Sequence, residues 1–106
     1  METSLVYITT SGSEEAEKIA GALVEQRLVS CVNIIDKISS LYWWENKIQK
    51  DSEAILIAKT RKTMVRKVTD TVKSLHSYKC PCIVSVPITG GNQDFLEWIV
   101  KETEAP

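Results

Sequence analysis

A chain of 106 residues, 43% apolar and 25% charged, has the length and composition of one soluble globular domain spanning residues 1–106. Its 13 basic and 14 acidic residues leave a formal net charge of −1, which offers no field for nucleic acid or for an anionic membrane surface. No apolar run approaches the ~20 residues of a membrane span. Met1-Glu2-Thr3-Ser4 also lacks the basic start of a secretory signal, so the cytoplasm is the expected compartment.

Residues 4–10, rich in β-branched and aromatic types, predict a first strand. Ser11 and Glu14 have capping-box spacing, and Ala16, Ile19, Ala20, Leu23, Val24 and Leu28 follow at helical intervals. Cys31 to Ile38 predicts a second strand, running through Ser39-Ser40 into Leu41-Tyr42-Trp43-Trp44. Glu45-Asn46-Lys47 is the turn, since asparagine tolerates positive φ, and residues 48–59 return as a long third strand. Met64, Val65, Val68, Val72 and Leu75 mark a second helix, with Thr60 or Thr63 as its cap. Cys80-Pro81 favours extended chain, and Cys82 to Ile88 is the fourth strand. Asn92 caps a short last helix carrying Phe95, Trp98 and Ile99, with Trp98 as the packing anchor.

The order β-α-β-β-α-β plus a terminal helix is the split βαβ, or ferredoxin-like, arrangement. It is an α+β fold with two helices on one face of a four-stranded antiparallel sheet. The other face of such a sheet is normally wet. Ala54-Ile55-Leu56-Ile57-Ala58 does not fit that rule, because Ile55 and Ile57 face one way while Ala54, Leu56 and Ala58 face the other. The aromatic cluster has the same property: Tyr42 and Trp44 leave one face of the strand, Leu41 and Trp43 the other. Each ring offers on the order of 150–250 Å² to bury. Leu41, Trp43, Ile55 and Ile57 are therefore expected in contact with further copies of the chain.

Five segments resemble the CutA divalent-cation tolerance family, in order and over nearly the whole chain. They are Glu25-Gln26-Arg27-Leu28-Val29-Ser30-Cys31-Val32-Asn33, Ser40-Leu41-Tyr42-Trp43-Trp44-Glu45, Glu53 through Thr60, Leu75-His76-Ser77-Tyr78-Lys79-Cys80-Pro81, and Phe95-Leu96-Glu97-Trp98-Ile99. The resemblance implies a homotrimer whose long hairpins cross onto neighbouring sheets. It also implies a link to copper and other divalent cations, and no catalytic reaction. The chain departs from the family in having Asn46 for glycine, Ser77 for proline and Phe95 for tyrosine. Ile8 stands where some members carry a strand-one cysteine, and acidic residues near Lys79 and Cys82 are lacking.

The candidate site residues follow. His76, the only histidine, ends a helix and reads either as a cation at the helix C-terminus or as a metal ligand. Cys80 and Cys82 face the same way in extended chain. With His76 they form His-x3-Cys-x-Cys, a soft set suited to copper or zinc, with burial of two small residues as the alternative. Cys31 reads as a core cysteine. Tyr42, Trp44, Lys59, His76 and Tyr78 are candidates for a cleft between subunits, and Lys59 reads equally as a partner of Glu53. A trimeric signalling protein of the PII type, binding a metabolite in such clefts, is the competing function. An acylphosphatase is disfavoured because Thr9-Thr10-Ser11-Gly12-Ser13 holds no arginine. An RRM is disfavoured by the missing aromatic signature and the acidic balance.

Overall fold

Strand β1, Thr3–Thr10, begins the chain; α1, Ser13–Glu25, follows. Strands β2, Cys31–Trp44, and β3, Lys47–Arg61, form a long hairpin. A 3-10 turn over Lys62–Met64 leads into α2, Val65–Leu75, and the chain continues with β4, Ile83–Ile88, and α3, Gln93–Glu102. A computed structural model describes residues 1–104 of this architecture. The antiparallel sheet has the order β2-β3-β1-β4, which is the expected ferredoxin-like α+β plan. Among the described residues no helix is long and apolar enough to cross a membrane.

Period-two alternation sorts the central strands cleanly. Val6, Ile8 and Thr10 of β1 pair with Ala58, Leu56 and Ala54 of β3, and all six are buried beneath the helices. Ala16, Ile19 and Leu23 of α1 and Val68 and Val72 of α2 close that core. The opposite, open face presents Leu5 and Tyr7 of β1, Ile55 and Ile57 of β3, and Val84 and Val86 of β4. Neither α1 nor α2 covers this face; α3 lies over one end of it, where Arg61 of β3 donates to the Thr103 hydroxyl and carbonyl, and both β4 valines are exposed.

Local chemistry sets the helix ends. The Ser11 N–H and hydroxyl both donate to Glu15, not Glu14, each at 3.0 Å, because Gly12 is the N-cap and shifts the reach by one residue. Helix α1 stops at Glu25, short of Leu28. Arg27 adopts φ 57, and the Arg27 and Leu28 N–H groups donate to Val24 and Leu23 carbonyls, a Schellman stop without its usual glycine. Leu28 then buries as the apolar partner of Leu23. Neither Thr60 nor Thr63 caps α2: Thr60 lies buried in β3 and donates to the Leu28 carbonyl at 2.6 Å, and Met64 takes the cap position. Asn92 does cap α3, accepting the Asp94 N–H at 3.1 Å. Ile99, not Trp98, anchors α3, while Trp98 is partly exposed and stacks on Phe95 at 5.4 Å.

The hairpin turn has positive φ at both Glu45 (50°) and Asn46 (63°), the type I′ geometry that matches strand twist. Its arms run well past the helices, giving extents of 44 × 25 × 21 Å and a radius of gyration of 14.2 Å. A compact chain of this length has about 13 Å. Between Ile35↔Ile55 and Ile38↔Glu53, β2 carries one residue more than β3, with Lys37 at φ 58. This β-bulge reverses the parity of β2. Before it, Asn33 and Ile35 share the open face with Ile57 and Ile55; after it, Ser40, Tyr42 and Trp44 share that face with Asp51, Gln49 and Lys47. Leu41 and Trp43 turn to the helix side but lie beyond the helices, so they remain 68% and 72% exposed.

A lysine side chain in the left-handed region costs roughly 1 kcal/mol, a cost that glycine does not carry. Lys37→Gly is expected to raise stability by about 1 kcal/mol and Lys37→Val to lower it, as read from urea midpoints.

Candidate functional site

Where the hairpin leaves the body of the sheet, residues 76–82 pass over the end of the open face and enclose a groove of about 600 Å³. Tyr7 and Thr9 form its floor from β1, Ser40, Tyr42 and Trp44 face it from β2, and Glu53 faces it from β3. Tyr78, Lys79, Cys80 and Cys82 complete the lining, and Trp43 also borders it. The parity reversal at the bulge is what brings Tyr42 and Trp44 to the side where Glu53 and Tyr78 stand.

A chain of hydrogen bonds fixes the groove wall. The buried His76 ring donates from Nε2 to the Thr9 carbonyl at 2.8 Å, while its Nδ1 accepts the Tyr78 N–H at 3.1 Å. The two contacts together define the Nε2–H tautomer. The Tyr78 ring lies 4.7 Å from the imidazole, and its hydroxyl donates to Glu53 Oε2 at 2.8 Å. Burial first, then this bond and the charge of Glu53, push the Tyr78 phenol well above its ordinary range. Tyr42 donates to Asp51, and that bond raises its phenol too. His76 Nδ1 also lies 3.8 Å from Glu15 Oε2. Burial alone would raise the Glu15 carboxyl, but the N–H and hydroxyl groups of Ser11 and Ser77 outweigh it and hold the carboxyl down at about 2. Glu15 thereby fastens the start of α1 to the segment after α2.

The expected site residues divide into two groups. Tyr42, Trp44, Tyr78, Cys80 and Cys82 meet in the groove. Lys59 stands six residues along β3 from Glu53, roughly 20 Å at strand rise, and it donates to Asn33 Oδ1, not to Glu53. His76 lies behind the wall with both ring nitrogens engaged. Among the described residues no three His, Cys, Asp or Glu side chains gather to hold a metal ion. His76, Cys80 and Cys82 therefore form no ready ligand set within one chain. All three cysteines are free; Cys80 and Cys82 are exposed and Cys31 is half-buried.

Sequence reasoning passed over Thr9, Glu15 and Asp51, and it considered Glu53 only as a salt-bridge partner. One signal was available for Glu53, which shares the parity of Ile55 and Ile57 and so had to stand on the uncovered face.

The lowered Glu15 carboxyl gives a pH signature. A carboxyl held at about 2 in the fold against 4.5 in the free chain contributes stability that is complete above pH 4.5 and lost as pH falls toward 2. With solvent screening allowed for, Glu15→Gln is expected to cost about 2–3 kcal/mol at pH 7 and almost nothing at pH 2. Denaturant unfolding of both proteins across that range checks it.

The chain matches the model of the CutA1 divalent ion tolerance protein family over residues 4–102. The divalent-cation tolerance protein CutA of Archaeoglobus fulgidus is 46% identical over 101 residues, covering 95% of this chain and 98% of that protein. The chloroplastic protein CutA 1 of Oryza sativa subsp. japonica is 41% identical over 99 residues, 93% of this chain; the chain spans only 56% of that relative's length. Among solved structures, the divalent cation tolerance protein Cut A1 of Thermus thermophilus superposes with a TM-score of 0.94 at 40% identity, covering 96% of this chain and 99% of that one. The CutA structure from Archaeoglobus fulgidus, described as periplasmic, gives 0.93 at 45% identity, with coverage of 96% and 99%. The same strand order, long hairpin and terminal helix, joined to these identities over almost the full chain, place this protein in the CutA1 divalent ion tolerance family.

Proposed function

We propose that the chain serves divalent-cation tolerance as a homotrimer, binding copper or a similar ion and catalysing no reaction. The observation that carries the assembly is the two-faced hairpin. Leu41, Trp43 and Ile48 stand exposed on one side, Tyr42 and Trp44 are partly exposed on the other, and Ile55 and Ile57 continue the open face inward. An apolar surface of this kind on a soluble protein marks an interface. Three copies give each hairpin a neighbouring sheet to cover.

The metal reading rests on Cys80 and Cys82. Both thiols are exposed, both line one groove, and thiolate suits copper and other soft ions. Two donors do not complete a coordination shell, so the remaining ligands come from a neighbouring copy or from solvent. His76 joins them only by surrendering its bond from the Tyr78 N–H, and in this reading it serves first to hold the groove wall. A pair of exposed free thiols also suits a reducing compartment such as the cytoplasm.

Sedimentation velocity at micromolar concentration is expected to give three times the 11.9 kDa chain, and Trp43→Asp is expected to dissociate it. Calorimetric titration with copper is expected to show binding that the Cys80→Ser, Cys82→Ser double variant loses. A stable folded monomer defeats the assembly, and copper binding unchanged in the double variant defeats the thiol site. A thermal-shift screen in which a metabolite stabilises the chain and metals do not would favour a PII-like role instead.

A further inference from the structure

We propose that the groove beside the hairpin binds a small organic cation, an ammonium or guanidinium, with Glu53 as counter-ion and Tyr42 and Trp44 as aromatic walls. Glu53 is the observation that demands an occupant. It is only 7% exposed and lines the groove. Its one hydrogen bond among the described residues comes from the Tyr78 hydroxyl on Oε2. Among those residues no lysine, arginine or histidine pairs with it. Buried carboxylates are normally matched by a cation, and this one is not. Lys79 borders the groove, but it is exposed and its ammonium does not reach the carboxylate.

The surroundings select the class of cation. Hard divalent ions take six or more oxygen ligands, and no third ligating group gathers here. An aromatic groove of about 600 Å³ instead has the size of a small-molecule site. The faces of tryptophan and tyrosine attract ammonium and guanidinium groups through the ring quadrupole. Tyr42 is held by its bond to Asp51, and Tyr78 by its contacts with Glu53 and His76, so the walls are set before a ligand arrives. Asp51 and Glu15 add negative charge nearby. The thiol pair plays no part, so this inference does not depend on copper.

Benzylamine and benzyl alcohol serve as matched probes, one cationic at neutral pH and one neutral. Each is titrated into the intact purified protein with EDTA and a reductant present, and tryptophan fluorescence and calorimetry are recorded. The amine is expected to bind about tenfold tighter than the alcohol. In Glu53→Gln that preference is expected to fall to about twofold or less, while Trp44→Ala weakens both probes. Tyr78→Phe, which frees the carboxylate of its hydroxyl partner, is expected to keep the preference, and its loss in this variant overturns the proposal even where Glu53→Gln fails to fold. Equal affinity for amine and alcohol in the wild-type protein, or an undiminished preference in Glu53→Gln, overturns the proposal. Sedimentation of the same samples keeps the two readings apart. A trimer that fails to discriminate refutes the cation site alone and leaves the assembly standing.

Discussion

One extra residue in β2 governs what this molecule can do with its aromatic rings. A strand has two faces and a period of two, so a single insertion exchanges them for everything downstream. Without the bulge at Asp36-Lys37, Tyr42 and Trp44 would point to the helix side, where the hairpin has outrun the helices. With it they stand over Glu53 and Tyr78. The cost is a non-glycine residue at φ 58, with the Asp36 carboxylate accepting the Lys37 N–H at 2.7 Å as partial compensation. Backbone geometry, not composition, makes the groove.

The histidine shows how a residue with ligand chemistry can be committed elsewhere. His76 bonds to the Thr9 carbonyl, takes the Tyr78 N–H and lies near Glu15. Each of those partners belongs to a different element: the end of β1, the α2–β4 connection and the start of α1. The imidazole thus ties three segments together at the point where residues 76–82 cross the sheet. Glu15 does the same from the other side through Ser11 and Ser77. This corner is a polar joint at the edge of the core, and it sets where Tyr78 delivers its hydroxyl.

Much of the architecture is legible in the residues because the physics is local. The separation of Ala54, Leu56 and Ala58 from Ile55 and Ile57 follows from strand parity alone, and Asn46 and Asn92 mark a turn and a cap by known chemistry. The hidden features are those without a residue marker. No glycine announces the bulge at Lys37 or the helix stop at Arg27, since in both cases an ordinary cation occupies a left-handed conformation. Lys59 and the groove looked like neighbours because residue spacing carries no length scale of its own, whereas an extended strand carries Lys59 far from Glu53. The burial of His76 depends on an irregular connection, for which periodicity offers no prediction.

The strand order has a last implication for the margins of the sheet. The outermost strands, β2 and β4, are unlike each other. Strand β4 is six residues long and includes Pro87, whose nitrogen carries no hydrogen, so its outer rim is a poor template for a further strand. Strand β2 is fourteen residues long, contains no proline and is bent once by the bulge. Backbone-to-backbone recruitment of any additional polypeptide is thereby directed to one rim, and open-ended stacking of sheet upon sheet is discouraged at the other.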